Sequence, residues 1–163
     1  EMGPLLTMPT SGELCVDYRS YGSEYKNETA RPGYYSTMLT KYGIKCEVAS
    51  TMRSSIERYT FPKGKGNLLF NLGNGLTNEI GASLRRVSDT EFEGTRLLGT
   101  FCYNPQAVFP MYFVVRVSKK PAAYGMWKKQ PAFGNAQAQL ESAAISLTPV
   151  TICSSDSAAA SAA

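Results

Sequence analysis

The chain has 163 residues, of which 43% are hydrophobic, and its 17 Lys and Arg against 13 Asp and Glu give a net charge of +4. This length suits one domain, and the apolar fraction is that of a folded globular protein. Histidine is absent, which excludes Ser-His-Asp and Cys-His nucleophile systems, histidine zinc sites and imidazole general bases. The basic pairs at 85–86, 119–120 and 128–129 are isolated, which favours ordinary solvated surface over a nucleic-acid track.

The cysteines at 15, 46, 102 and 153 are too far apart for CxxC metal or redox motifs. Buried thiols that act as small hydrophobes are slightly favoured, and one or two disulfides remain an alternative if the protein is exported. No apolar run approaches the ~20 residues of a membrane span. The N-terminus has no signal-peptide pattern, so an export signal is expected upstream of Glu1.

Period-two alternation and β-branched or aromatic runs predict strands at 34–40, 44–51, 54–61, 67–72, 80–87, 90–98, 111–117 and 124–128. Alternation separates Ile44, Cys46 and Val48 from the intervening residues of 44–51. Within 54–61 it separates Glu57, Tyr59 and Phe61 from Ile56, Arg58 and Thr60. The run at 111–117 is expected to be buried on both faces, with 124–128 as its antiparallel neighbour. Residues 1–33 show little periodicity and are interpreted as a long connection.

Glycine, proline, asparagine and serine interrupt the chain at the spacing of an all-β sandwich or barrel. The glycine stretches at 63–67 and 71–75 lack the spacing and helix of a phosphate loop, and are interpreted as hairpin turns. The composition therefore predicts a single antiparallel β-sandwich, followed at 154–163 by a Ser/Ala tail or linker to which no function is assigned.

Tyrosines are concentrated in the first part of the chain, where six lie within 25 residues: Tyr18, Tyr21, Tyr25, Tyr34, Tyr35 and Tyr42. Aromatic rings stack on sugar C–H faces, and nearby carboxylate and guanidinium groups bind hydroxyls, so this mixture suits sugar recognition. The alternative is that the tyrosines simply favour strand edges and sandwich interfaces.

A glycosidase needs two carboxyl groups about 5–10 Å apart, and the sequence does not single out such a pair. The candidates by composition are Glu24, Glu28, Glu47, Glu57, Asp89, Glu91 and Glu93. Glu47 and Glu57 lie within predicted strands and are expected to face solvent.

Four blocks of sequence resemble a signature of glycoside hydrolase family 92, the bacterial exo-acting α-mannosidases. Residues 28–39 (ETARPGYYSTML) resemble the family's E-x-A-x-P-G-Y-Y-x-V-x-L stretch, and residues 42–53 (YGIKCEVASTMR) its Y-x-I-x-x-E-L-T-A-T-x-R strand pair. Residues 58–62 (RYTFP) resemble R-Y-x-F-P, and residues 6–12 (LTMPTSG) resemble L-M-P-T-x-G. The likeness is strongest over residues 5–118 and weakens after Lys119.

The resemblance implies a β-sandwich of the supersandwich type, the N-terminal domain of a two-domain enzyme whose (α/α)6 barrel is not in this chain. Residues 1–153 are then an incomplete N-terminal domain. The parent would be a calcium-dependent, inverting α-mannosidase acting on mannose-rich glycans, secreted, periplasmic or on the surface of a bacterium. Its catalytic carboxylates and most calcium ligands are expected in the barrel, so no catalytic or metal residue is assigned here.

Five positions match family motifs and are candidates for shaping or supporting a substrate pocket between the two domains: Glu28, Gly33, Tyr34, Tyr35 and Arg53. Structural scaffolding is an equal alternative for each. The expected partners are mannose-containing glycans and the barrel domain, with no nucleic acid. The competing hypotheses are a free-standing carbohydrate-binding β-sandwich and a structural or adhesion sandwich without a ligand.

Overall fold

The computed structural model describes residues 5–64, 66–73, 78–99, 108–128, 141–147 and 160–162. Within these ranges nearly all regular structure is β, with one short helix. The elements are β1 (Leu6–Ser11), α1 (Tyr18–Tyr21), β2 (Tyr25–Arg31), β3 (Tyr34–Leu39), β4 (Ile44–Ser50), β5 (Ser54–Thr60), β6 (Gly66–Asn71), β7 (Asn78–Arg86), β8 (Glu91–Gly99), β9 (Phe109–Arg116), β10 (Ala123–Lys128), β11 (Glu141–Leu147) and β12 (Ala160–Ala162).

The strands form two antiparallel sheets. The smaller sheet has the order β1-β6-β11-β10, and the larger has the order β2-β3-β4-β5-β12-β9-β8-β7. The main core cluster takes Leu68 and Phe70 from the smaller sheet and Ile44, Phe92 and Val115 from the larger one, so the two sheets pack face to face. The predicted antiparallel β-sandwich is confirmed.

The strand buried on both faces is β6, all six residues of which are buried. Leu68 and Phe70 face the main core, whereas Leu69 packs with Tyr21 of α1 in a second cluster. The corresponding prediction for 111–117 was wrong. Strand β9 has one buried face, because Phe113 and Val115 are buried while Tyr112 and Arg116 are exposed.

The first 33 residues are not the long connection that their weak periodicity indicated. They supply β1, α1 and β2, and β1 pairs with β6 over its full length. Helix α1 begins after Asp17, whose side chain accepts a hydrogen bond from the Arg19 amide. Its Tyr21 is held by Asn71, which donates to the phenol oxygen at 2.7 Å. The N-terminal segment is therefore part of the sandwich.

Two predicted connections differ in the structure. Strand β10 does not pair with β9, but with β11 in the smaller sheet. Strands β5 and β6, interpreted as a hairpin across 63–67, lie in different sheets, and so do β6 and β7. The chain therefore changes sheet after β5 and again after β6, and the hairpin interpretation of both glycine stretches was wrong. By contrast, 80–87 and 90–98 do pair as β7 and β8.

Cys15 and Cys46 are free thiols, and Cys46 is buried in the core as the favoured interpretation required. Cys102 and Cys153 lie outside the described residues. Among the described residues, no helix has the length and apolar character that crossing a bilayer requires.

Candidate functional site

Two turns at one end of the larger sheet lie side by side. The first, at Pro32-Gly33, joins β2 to β3, and the Ser50 amide at the end of β4 donates to the Gly33 carbonyl at 3.0 Å. Gly33 has φ +74°, and a Cβ placed there would lie 3.4 Å from the Ser50 carbonyl oxygen. The turn thus favours glycine through its left-handed backbone and its close approach to β4.

The second turn covers residues 51–53 and carries Arg53. The Thr51 amide donates to the Ser54 carbonyl at 2.8 Å, and the Ser54 amide donates to Thr51 Oγ1 at 3.2 Å. Arg53 is exposed beside Met52, which is 94% exposed. We call these two turns, together with Glu28, Tyr34 and Tyr35, the hairpin rim.

Tyr34 points to the outer face of the larger sheet. Its hydroxyl donates to Glu47 Oε1 at 3.0 Å, and the Arg31 guanidinium carbon lies 4.9 Å from its ring centroid. A cation over an aromatic face at this distance is attracted to the π-system. Both contacts fix the tyrosine ring, which indicates a supporting role for this side chain in the rim.

Glu47 also faces outward, but its side chain is only 16% exposed. Lys45 Nζ lies 3.0 Å from Oε1, and Arg58 Nη1 lies 3.8 Å from Oε2. The hydrogen bond from Lys45 and a weaker one from Tyr34 lower the pKa of Glu47, although partial burial opposes them. This carboxylate is therefore an anion at neutral pH and cannot act as a general acid there.

Tyr35 points to the opposite face from Tyr34, because successive strand residues alternate. Its hydroxyl donates a short hydrogen bond to Glu28 Oε1, and this bond to the carboxylate is the main reason that the pKa of Tyr35 is raised. Glu28 lies two residues before Ala30, the cross-strand partner of Tyr35, and therefore on the same side of the sheet. The pairing of β2 and β3 is irregular between Lys26 and Thr29, where Asn27 has φ 58°.

The Glu28–Tyr35 pair lies where the smaller sheet does not cover the larger one. All of β2 is exposed, and Tyr25, which pairs with Leu39 on the same side of the sheet as Tyr35, is 59% exposed. A carboxylate, a phenol and an open aromatic ring thus share one solvent-facing area. These groups can accept and donate hydrogen bonds to hydroxyls and stack on a sugar ring.

The six tyrosines do not form one surface. Tyr21 is buried, and Tyr42 donates from its hydroxyl to the Tyr21 carbonyl at 2.8 Å, so both stabilise the junction of α1 with the sandwich. Tyr34 and Tyr35 lie on opposite faces of the sheet. Of the six, Tyr25 and Tyr35 lie on the same side of the sheet as Glu28. Tyr21 and Tyr42 instead stabilise the sandwich, which is the alternative to a role in sugar recognition.

A buried polar cluster joins β1 to β5, and sequence reasoning missed it. Glu57 is half-buried, accepts from Thr7 Oγ1 at 3.0 Å and accepts a short hydrogen bond from Tyr59. The expectation that Glu57 faces solvent was therefore wrong. Alternation had already placed Glu57 on the same face as Tyr59 and Phe61, and two aromatic neighbours on one strand face are a sign of burial.

The buried thiol of Cys46 makes the stability of the fold depend on pH in the alkaline range. Burial, with a smaller effect of the Glu57 charge, raises its pKa from 9.0 to about 12. The unfolded thiol ionises first, so stability should be complete below about pH 8 and fall as the pH rises through 9 towards 12. Burial also raises the pKa of Tyr59 well above its usual value. Ionisation of this tyrosine in the unfolded chain therefore adds to the loss of stability at high pH.

We therefore expect Cys46→Ala to flatten the decline in unfolding free energy between about pH 8 and about pH 10.5, measured by urea unfolding. Cys15→Ala is the matched control, because Cys15 is less buried, and it should leave the decline unchanged. Equal pH profiles for the wild type and Cys46→Ala would contradict this account.

In the described part of the chain, no three acidic or cysteine side chains come together as a metal-binding group. Glu47 and Glu57 lie on opposite faces of the larger sheet, and each is engaged with neighbouring side chains. The chemistry available at the hairpin rim is that of recognition and positioning.

Comparison with solved structures identifies the same fold in larger proteins. The family GH92 α-mannosidase BT3965 from Bacteroides thetaiotaomicron matches with a TM-score of 0.74 and 24% identity, over 90% of this chain and 22% of that one. The inverting mannosidase BT2199 of the same organism matches with a TM-score of 0.73 and 16% identity, over 99% of this chain and 22% of that one.

A third structure, the GH92 family glycosyl hydrolase ccman5, has a TM-score of 0.66 and 21% identity over 90% of this chain. The chain thus spans 22% of the length of each of these three proteins. Comparison with curated proteins gives no significant match. The family model for the glycosyl hydrolase family 92 N-terminal domain matches residues 1–153, so the chain belongs to that family as its N-terminal domain.

Proposed function

We propose that this chain is the non-catalytic N-terminal domain of an α-mannosidase that hydrolyses α-mannosidic bonds of mannose-rich glycans. Its hairpin rim helps to form the substrate pocket where the sandwich meets an (α/α)6 catalytic domain. The observation that carries the proposal is the exposed Glu28–Tyr35 pair beside Tyr25, within a chain that matches the family over residues 1–153. Recognition of sugar hydroxyls requires this combination of donors, acceptors and an aromatic face.

The proposal includes an inverting mechanism with calcium, in an enzyme secreted to the periplasm, the medium or the cell surface. In this proposal the acid and base carboxylates and the calcium ligands belong to the catalytic domain. The role of this chain is then to position the glycan. Glu28 accepts hydrogen bonds from sugar hydroxyls, and Tyr35 keeps that carboxylate in place.

Apolar side chains on the outer face of the larger sheet support contact with a second domain. Ile56, Leu97 and Tyr112 are 51%, 38% and 58% exposed. They belong to β5, β8 and β9 of the same sheet. A second domain that covers this face would bury all three side chains.

Tyr35→Phe and Glu28→Gln, introduced into the polypeptide that joins this domain to its catalytic domain, should each lower kcat/KM on an aryl α-mannoside by about tenfold or more. That is the scale of one lost hydrogen bond to a charged group, roughly 1.5 kcal/mol or more. Tyr18→Phe is the matched control, because Tyr18 is an exposed tyrosine on α1 outside the hairpin rim, and its change should leave kcat/KM within about twofold.

Wild-type kcat/KM in both rim variants would contradict the role of the rim. Turnover by the 163-residue chain with calcium would contradict the statement that it is non-catalytic. The exposed ring of Tyr25 favours one alternative, a free-standing carbohydrate-binding module. Binding of mannose-containing glycans by the isolated chain, lost in Tyr25→Ala, would support that alternative.

A further inference from the structure

The uncovered side of β2 and β3 extends well beyond the Glu28–Tyr35 pair. Tyr35 is the cross-strand partner of Ala30, near the turn, and Tyr25 is the partner of Leu39, at the other end of both strands. Tyr35 and Leu39 are four residues apart on β3, and a strand rises about 3.4 Å per residue, so the two tyrosines lie at positions about 14 Å apart along the sheet. We call this side of the two strands, from Tyr35 to Tyr25, the tyrosine platform.

The hydrogen-bonding groups of the tyrosine platform are gathered at one end. The Glu28 carboxylate accepts its hydrogen bond from the Tyr35 hydroxyl, which draws it towards Tyr35 and away from Tyr25. Thr37 lies midway along this part of β3 and is buried, and its Oγ1 donates to the Lys26 carbonyl at 3.1 Å. The Thr37 hydroxyl is thus already bonded, and recognition of sugar hydroxyls on the platform depends on Glu28 and Tyr35.

The other end of the platform offers an open aromatic ring on a fixed backbone. Tyr25 is 59% exposed, and its partner Leu39 is half-buried and packs against the main core cluster. The preceding residue, Glu24, accepts at its carbonyl from the Thr40 amide at 2.9 Å and from Thr40 Oγ1 at 3.1 Å. A tyrosine held in this way supplies a large contact area at a low cost in conformational entropy.

We propose that Tyr25 forms a distal subsite, where its ring stacks on an internal sugar of an oligosaccharide while Glu28 binds hydroxyls of a sugar nearer the bond to be cleaved. This inference rests on the proposed function and specifies the substrate class of the same site. An aromatic ring suits the apolar C–H face of a sugar, and a carboxylate suits its hydroxyls. A single hexose is much shorter than the platform, so a ligand that uses both ends is a chain of several sugars. Tyr25 is then a residue that selects for chain length.

The distal subsite has a kinetic signature that a merely structural tyrosine lacks. Its sugar is remote from the reacting bond, so the contact is the same in the bound substrate and in the transition state. Loss of such a contact raises KM and leaves kcat unchanged. The loss is also confined to substrates that are long enough to reach Tyr25.

The test uses the polypeptide that joins this domain to its catalytic domain, with an α-linked mannobiose and a linear mannotetraose of the same linkage, one that the wild type cleaves. In Tyr25→Ala the ratio of kcat/KM for the tetraose to kcat/KM for the biose should fall by about fivefold or more, through KM for the tetraose. Tyr25→Phe keeps the ring and should restore most of the ratio. Tyr18→Ala is the matched control, because Tyr18 is an exposed tyrosine on α1, and it should leave the ratio within about twofold.

An unchanged ratio in Tyr25→Ala overturns the distal subsite, including the case in which both substrates lose equally, because Tyr25 would then contact the same sugar as Glu28. A ratio as low in Tyr25→Phe as in Tyr25→Ala would assign the effect to the hydroxyl and overturn the stacking contact. Glu28→Gln separates this inference from the proposed function, since it should lower kcat/KM on both substrates. Wild-type values in Glu28→Gln would contradict the role of the hairpin rim, whereas the ratio in Tyr25→Ala decides the distal subsite.

Discussion

Phe92→Ala should lower the free energy of unfolding by about 3–5 kcal/mol, the range for deleting a buried aromatic side chain. Phe92 is 0% exposed and belongs to the core cluster that both sheets share. Its ring stacks on Tyr124, with centroids 5.6 Å apart and 30° between the planes. Since β8 lies in the larger sheet and β10 in the smaller, the variant removes a contact that joins the two sheets.

Phe109→Ala is the matched control, because Phe109 is 44% exposed on β9, and its loss should cost less than about 1 kcal/mol. Urea unfolding of the 163-residue chain measures the loss of unfolding free energy in both variants. A cycle with Tyr124→Leu isolates the ring contact, which should be worth about 0.5–1.5 kcal/mol. Equal losses in Phe92→Ala and Phe109→Ala would show that the sheets do not pack through Phe92.

Local periodicity was enough to identify most strands, because a half-buried strand shows its two faces in its sequence. The faces predicted for 44–51 and 54–61 correspond to those of β4 and β5 in the structure. Strand β2 was not predicted from the sequence, because its residues are all exposed and its pairing is interrupted at Asn27. An edge strand without a buried face has no alternation to detect.

Sheet membership could not be derived from the sequence in the same way. Strands β5 and β6 follow one another closely but belong to different sheets, and β6 finds its partners in β1 and β11. Such pairings are decided by long-range packing, which short turn signals do not encode. The expected pairing of 111–117 with 124–128 failed for this reason.

The hairpin rim was predictable in part. The motif at 28–39 drew attention to Glu28, Gly33, Tyr34 and Tyr35, and alternation alone separates the two tyrosines onto opposite faces. The contact between Glu28 and Tyr35 was not predictable, because it depends on the pairing of β2 with β3, and that pairing is interrupted near Asn27. Asparagine tolerates positive φ better than most residues, but one asparagine does not identify a bulge.

Gly94→Ala should destabilise the domain by about 1–3 kcal/mol, the usual cost of forcing extra atoms into a packed interior. A Cβ at Gly94 would clash with the Ser83 carbonyl oxygen on β7 and would lie 2.6 Å from Phe113 Cζ on β9. The oxygen belongs to the backbone of a paired strand and Phe113 is buried. Neither neighbour can move away without disturbing the sheet or the core.

Gly125→Ala is the matched control in β10, where a Cβ would meet nothing within 4 Å. It should be neutral, or stabilising by a few tenths of a kcal/mol through the unfolded state, as is usual at such sites. Adding Phe113→Leu to Gly94→Ala removes the Cζ contact and leaves the one to Ser83, so the double variant should lose less stability than the two single losses together. Urea unfolding of the three variants, the double variant and the wild type distinguishes these outcomes. A Gly94→Ala domain as stable as Gly125→Ala would mean that β7 and β9 do not approach β8 this closely.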